Sequence, residues 1–297
     1  MLKIISAEAV DMLKFERLRK MKENDVFSKR AYFETLCPYW SLLVLNDYEA
    51  ALLIPYNQKM HYQWVVTPLY YRASAWLGSW SPENQSLAIR FLQNQFTFGT
   101  LNVGEVAGIR SNKIYQCILP ESFSEQKFSN LTKRMLKKAD SKSILFTSVL
   151  DIDQFVFFLK AELGSRIDGV DDKSMKLLSE LLKNMQKEGI LGFEGAVIGG
   201  EFVGGILTLI SEQRHLYLKG TATKEAKKDG IFYKLMHRAI QKAVEDGATF
   251  DFGGSSIAGV AQFNRNFGAE DVAYYTLNWG KEPIPFRIYN KLRRLWK

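Results

Sequence analysis

Two apolar periodicities alternate along the chain, and the points where one gives way to the other delimit its elements. Ala7–Arg19 reads as a short amphipathic helix and Phe27–Leu36 as a weaker one. From Trp40 the pattern becomes extended, with Ser41–Leu45, the polar turn Asn46–Glu49 and Ala50–Pro55 forming strand, turn and strand. His61–Thr67 is a further strand closed by Pro68, and Pro82 opens a helix over Glu83–Gln95. Short strands follow at Thr100–Val103 and Ile114–Leu119. A basic helix over Phe128–Asp140 then leads to a strand at Ile144–Leu150 and a helix at Ile152–Leu163. The polar connection Gly164–Asp172 is expected to be a mobile loop, and a helix over Lys173–Glu188 follows it.

The strongest local signal lies further on. Gly192–Ile198 and Glu201–Leu209 flank Gly199-Gly200, a dipeptide suited to the positive φ of a tight hairpin turn. A third strand, His215–Gly220, runs through the polar stretch Thr221–Asp229 into a helix over Gly230–Glu245 that Gly247 ends. Thr249–Phe252 is the next strand. In this order a helix N-terminus points free amides and a positive dipole end past a strand edge, where a pyrophosphate would fit, with Lys224, Lys227 and Lys228 around it. The same stretch also reads as an ordinary polar loop. Both halves run through helices, hairpin, helix and strand, which suggests an internal duplication without a residue-level repeat.

Composition narrows the function classes. A length of 297 residues fits two domains, and 46% apolar with 13% aromatic residues supports packed cores. No apolar stretch reaches the roughly 18 to 20 residues of a membrane span, and Met1–Ser6 lacks a secretory layout, so a cytoplasmic location is expected. Cys37 and Cys117 are expected to be reduced and packed, and His61, His215 and His237 show no ligand spacing, so no metal site is expected. The formal charge of +8 would steer an anionic partner, or serve solubility alone. The aromatic group Tyr62, Trp64, Tyr70, Tyr71, Trp76 and Trp80 reads as core and domain interface rather than as a ligand cleft. The basic run Lys133, Arg134, Lys137 and Lys138 is either a solvated face or the wall of an anion-binding cleft.

The segment Phe250-Asp251-Phe252-Gly253-Gly254, followed by Phe263-Asn264-Arg265-Asn266-Phe267-Gly268, resembles the Fem-type peptidoglycan aminoacyltransferases of the acetyltransferase (GNAT) superfamily. Members carry an Asp-φ-Gly-Gly strand end, then a helix with Phe-Lys-x-x-Phe-Gly, and a basic helix between two halves. The resemblance covers residues 128–277 well and the first 120 in outline. It implies a mixed α/β (α+β) chain of two tandem acyl-CoA N-acyltransferase-like domains, each a mixed sheet flanked by helices, at residues 1–140 and 141–297. The family's helix lysine is replaced here by Asn264, with Arg265 beside it, and the glycine-rich phosphate loop of acetyl-coenzyme A enzymes is replaced by Thr223–Gly230 with one glycine. No counterpart of the tRNA-gripping helical arm of some Fem proteins is present.

The activity implied is transfer of an acyl or aminoacyl group from acyl-coenzyme A or aminoacyl-tRNA to an amine acceptor, with no tightly bound cofactor and no DNA partner. By the resemblance, splayed central strands put Tyr217, Lys219 and Gly220 near the chemistry, Tyr217 as proton donor to the leaving group. Asp251 is the candidate for deprotonating the amine or fixing Arg265, or equally an N-terminal cap or salt-bridge partner. Donor contacts are expected from Lys219, Gly220, Lys227, Lys228 and Gly230, and acceptor contacts from Lys133, Arg134, Lys137, Gly253, Gly254 and Asn264. Two rival readings are a catalytically degenerate module that grips tRNA or another polyanion, and a peripheral membrane contact through the basic amphipathic tail Phe286–Lys297. Packing of Ile288, Leu292 and Leu295 on the N-terminal domain is the commoner fate of such a tail.

Overall fold

The computed structural model describes the chain except for residues 22–24, 60–61, 107, 109–112, 165–170, 255–257, 285 and 288–297. The first sheet begins with β1 (Leu2–Ser6), β2 (Tyr39–Leu45) and β3 (Ala50–Lys59), all antiparallel neighbours. β2 and β3 read as continuous apolar runs because both faces are covered. Leu42, Val44, Ala51 and Leu53 pack toward α1 (Met12–Lys20) and α2 (Arg30–Leu36), together with Phe15 and Phe33. Leu43, Leu52 and Ile54 face the other way, toward Ala88 and Leu92 of α3 (Pro82–Gln95). β4 (Tyr62–Val65), β5 (Trp76–Gly78) and β6 (Gly99–Val103) complete this half.

The second half contains α4 (Asn130–Asp140), β8 (Leu145–Thr147), α5 (Ile152–Leu163), α6 (Asp172–Lys187), β9 (Leu191–Ile198), β10 (Glu201–Ser211), β11 (Arg214–Ala222), α7 (Lys224–Lys228), α8 (Ile231–Glu245), β12 (Thr249–Asp251) and α9 (Ala258–Arg265). The β9–β10 turn places Gly199 and Gly200 at φ 60° and 87°, as the dipeptide required. α7 lies where a polar loop was expected, started by the Thr223 side chain, which accepts from the Ala226 amide at 3.2 Å.

Two strands exchange between the halves. β7 (Lys113–Ile118) leaves the first half and enters the second sheet, antiparallel to β12. β13 (Glu270–Trp279) pairs with β7 over Glu270–Tyr274 and with β6 over Tyr275–Trp279. One continuous mixed sheet results, in the order β1-β2-β3-β4-β6-β13-β7-β12-β11-β10-β9-β8. The boundary expected at 140/141 is therefore crossed. α4 buries Leu136 and Ala139 in the core of the second half beside α8, because its apolar side faces α8 rather than solvent between domains. Leu181 and Met185 of α6 pack in turn with the α1–α2 core. Cys37 and Cys117 are free thiols and buried, and burial pushes the Cys37 thiol up to about 12.

The α4–α8 contact is tight enough to test. Gly230 has φ 82°, and a Cβ there would lie 2.2 Å from the Met135 carbonyl oxygen of α4. Gly247 has φ 67° with nothing near its missing side chain. Gly247→Ala should cost about 1 kcal/mol in urea unfolding, from the left-handed backbone alone, and Gly230→Ala at least about 2 kcal/mol.

Candidate active site

β11 and β12 run parallel for only three residues, Arg214–Leu216 against Thr249–Asp251. β11 then continues to Ala222, while the chain after Asp251 turns away through Gly253 and Gly254, at φ 77° and 83°. A side chain at Gly253 would start 2.6 Å from the Tyr217 carbonyl, and one at Gly254 2.9 Å from the Tyr115 Cβ, so the turn needs glycine for space as well as conformation. On its other edge β11 bulges: Lys219 pairs with Leu207 and Tyr217 with Thr208, leaving Leu218 extra. The central strands thus splay, as the resemblance implied.

The splay opens a cavity of about 410 Å³ between the halves. Tyr217, Lys219 and Gly220 line it from β11, Gly253 and Gly254 from the turn, Tyr70 and Arg72 from the first half, and Tyr274 from β13. Tyr70 and Tyr71, expected in core or interface, form part of its wall. Tyr70 adopts φ 64° with its carbonyl accepting from the Tyr32 hydroxyl, a strained backbone held by packing at the edge of the site.

Asp251 is wholly buried beneath this cavity, and its partners are two arginines. Arg72 Nη1 donates to both carboxylate oxygens at 2.7 Å, Arg214 Nη1 donates at 2.6 Å and the Gly253 amide at 2.9 Å. Burial alone would raise its pKa, but Arg72 and Arg214 outweigh it and hold the carboxyl below the usual carboxylate range. A carboxylate so held is a poor proton acceptor, and it fixes Arg72 and Arg214 rather than Arg265. Arg72 also stacks 3.8 Å from the Tyr115 ring centroid. Tyr217 donates weakly to the Gly220 carbonyl at 3.4 Å, and burial raises its pKa, so the phenol keeps its proton. Lys219 Nζ lies 5.7 Å from the Tyr70 ring centroid, has no carboxylate partner among the described residues, and has its pKa lowered by burial.

The other expected site residues lie elsewhere. Arg265 is bound to Asp271 at 2.8 Å on the surface. Asn264 is buried, donating to Gln116 at 3.0 Å, and Gln116 donates to Asp271 at 3.0 Å, so these side chains join α9 to β7 and β13 outside the cavity, whose wall α9 meets through Val260. Lys133, Arg134 and Lys137 are exposed on α4 outside the cavity, because the opposite side of that helix is the one packed on α8. Lys227 and Lys228 are exposed on α7, and Gly230, at the start of α8, packs against the Met135 carbonyl of α4. A protein carboxylate, Asp229, stands beside that turn, bound by Lys138 and Lys142 at 3.0 Å each. Arg72, Arg214, Tyr115 and Tyr274 were missed, since no local pattern marks residues that meet only through the fold.

Among the described residues no cluster of acidic, histidine or cysteine side chains could hold a metal, and no helix is long and apolar enough to cross a membrane. Gly164 ends α5, while residues 165–170 of the expected mobile loop, and Ile288, Leu292 and Leu295 of the tail, lie outside the described residues.

Residues 126–265 match the family model for the acetyltransferase (GNAT) domain. The whole chain has the tandem GNAT fold. The crystal structure of FemX is similar at TM-score 0.64 and 10% identity, covering 96% of this chain and 99% of that one. L-PGS from Bacillus licheniformis is similar at TM-score 0.56 and 11% identity, over 95% and 96% of the two chains. A tandem GNAT protein from the clavulanic acid biosynthesis pathway is similar at TM-score 0.54 and 10% identity, over 95% and 100%. No curated protein sequence matches the chain.

Asp251→Asn leaves two arginines buried against a neutral partner and should cost about 3 to 5 kcal/mol at pH 7. Because folding lowers the Asp251 pKa, its contribution is complete above the ordinary carboxylate value near about 4 and is lost as pH falls through the folded value. Urea unfolding of both proteins should show a constant gap from pH 5 to 8 that narrows only in stronger acid. A gap that opened between pH 6 and 8 would contradict this assignment.

Proposed function

We propose that the protein is an N-acyltransferase that moves an acyl or aminoacyl group from an activated donor to an amine within the cavity between its halves. The observation that carries this reading is the splay of β11 from β12 beyond Leu216 and Asp251, which leaves one edge of β11 without a strand partner among the described residues along the cavity. A strand edge of this kind offers fixed amide dipoles to a carbonyl on which negative charge develops. In the reaction the amine nitrogen attacks the carbonyl carbon, the C–N bond forms, and the C–S or C–O bond to the donor breaks. The attacking nitrogen gives its proton to solvent, and the Tyr217 hydroxyl, kept protonated by burial, gives a proton to the departing sulfur or oxygen and regains one from water.

Donor recognition rests on charge outside the cavity. α4 and α7 adjoin where Lys138 Nζ donates to the Lys228 carbonyl at 2.8 Å, and Lys133, Arg134, Lys137, Lys224 and Lys227 are exposed on these two helices. Coenzyme A and tRNA are both polyanions that such a surface attracts. The same surface supports a second reading, a degenerate module that binds a polyanion without turnover.

The test is thermal unfolding at fixed salt with acetyl-coenzyme A, longer acyl-coenzyme A and charged tRNA, followed by transfer assays on an amine panel with whichever donor shifts the transition. A donor at about 100 times its dissociation constant should add about 2.7 kcal/mol. Tyr217→Phe should leave the fold intact and lower kcat about 100-fold with little change in acceptor KM. Binding of tRNA without transfer to any amine would favour the second reading.

A further inference from the structure

The described side chains that line the cavity carry charge of one sign. Its lining contains two cationic side chains, Arg72 and Lys219, and no carboxylate among the described residues. Asp251 lies beneath Arg72 but is shared with Arg214, so the buried cluster of two guanidiniums and one carboxylate keeps a net positive charge. Arg72 uses Nη1 on Asp251, its Nε and Nη2 have no hydrogen-bond partner among the described residues, and its side chain is 12% exposed. Lys219 lines the same space, with the Tyr70 ring centroid 5.7 Å from its ammonium and no carboxylate partner among the described residues. The remaining walls are Tyr70, Tyr217, Phe252 and Tyr274, which offer ring faces and hydroxyl groups.

Two partly desolvated cations in a small cavity with no carboxylate among its described lining residues repel each other and an incoming ammonium, and they favour a bound anion. A donor with a simple alkanoyl group, or an aminoacyl group without an acidic side chain, does not supply one at its reacting end, where the carboxyl group is tied up as an ester or thioester. Building on the proposed acyl transfer, we infer that the acceptor is a compact amine that itself carries an anionic group, a carboxylate or a phosphate ester, held by Lys219 and the free edge of Arg72. A cavity of about 410 Å³ suits a single amino acid or a phosphorylated amino alcohol, with its amine directed toward the open edge of β11. Lys219 then acts as a specificity-determining residue, and simple amines and diamines are selected against.

Isothermal titration calorimetry on the full-length protein tests this without any donor. L-phenylalanine would be compared with phenethylamine, L-lysine with cadaverine, and phosphoethanolamine with ethanolamine. The anionic member of at least one pair should bind about tenfold more tightly than its partner, and the pair that shows it identifies carboxylate or phosphate. Lys219→Met, which keeps the apolar stem, should erase the preference, and Lys219→Arg should retain it. Equal or tighter binding of the uncharged-tail amines, no binding by either class up to millimolar concentration, or an unchanged preference in Lys219→Met overturns the inference. Acyl transfer that does not discriminate within pairs would uphold the enzyme and sink this acceptor class. Selective binding with no transfer from any donor would do the reverse.

Discussion

The buried cluster of Arg72, Asp251 and Arg214 is the constraint on which the site depends. Asp251 ends a three-residue strand, Arg214 begins the neighbouring strand, and Arg72 comes from the other half of the chain. Removing a carboxylate and two guanidiniums from water is expensive, and it is repaid only when the hydrogen bonds are short and shared. Here Asp251 takes both arginines and the Gly253 amide, and Arg72 adds a ring contact with Tyr115. The cluster thereby determines where β12 stops, where the glycine turn departs and how the first half sits over β11. Asp251, for which both a base and a salt-bridge partner were open from the sequence, is paired with two arginines beneath the cavity.

Strand exchange gives this anchor a rigid frame. β13 hydrogen-bonds to β6 along one part of its length and to β7 along the other, so the two sheets cannot separate without breaking a strand. β7 lies between β12 and β13, and the Gln116 carbonyl accepts from the Phe252 amide at 3.0 Å, just before the glycine turn. A cavity whose two walls belong to one sheet keeps its shape, and a catalyst that works by positioning depends on that.

Local chemistry made much of this legible from sequence. The Gly199-Gly200 hairpin, the helix over 231–245 and the Gly253-Gly254 turn follow from backbone conformations that few other residues adopt, and each is where it was expected. The site residues Tyr217, Lys219 and Gly220 emerged through a family resemblance, and the cavity brings them together. What escaped was long-range. Arg72 and Asp251 are separated by 179 positions, and a lone arginine among aromatic residues carries no sign that it is buried and paired. β1 and β13 escaped because short alternating runs near a chain end or after a motif give little periodicity to count. α7 escaped because a lysine-rich run reads as solvated loop until its Thr223 cap is seen.

The motif that carried the resemblance has a different role from the one its chemistry suggested. Asn264 stands where the resemblance to Fem-type enzymes leads one to expect a lysine, and an amide can sit buried and bond to the Gln116 amide without bringing a charge inside. Gln116 passes the connection to Asp271, and Asp271 to Arg265, so the helix is riveted to both exchanged strands. A lysine at position 264 would place an ammonium at 3% exposure with Gln116 as its partner and its charge uncompensated. The substitution therefore fits a chain in which α9 has been given over to holding the sheet together. The cations left facing the cavity are Arg72 and Lys219, from the opposite wall and from the bulged strand, so any charge recognition in the cavity falls to these two residues among those described.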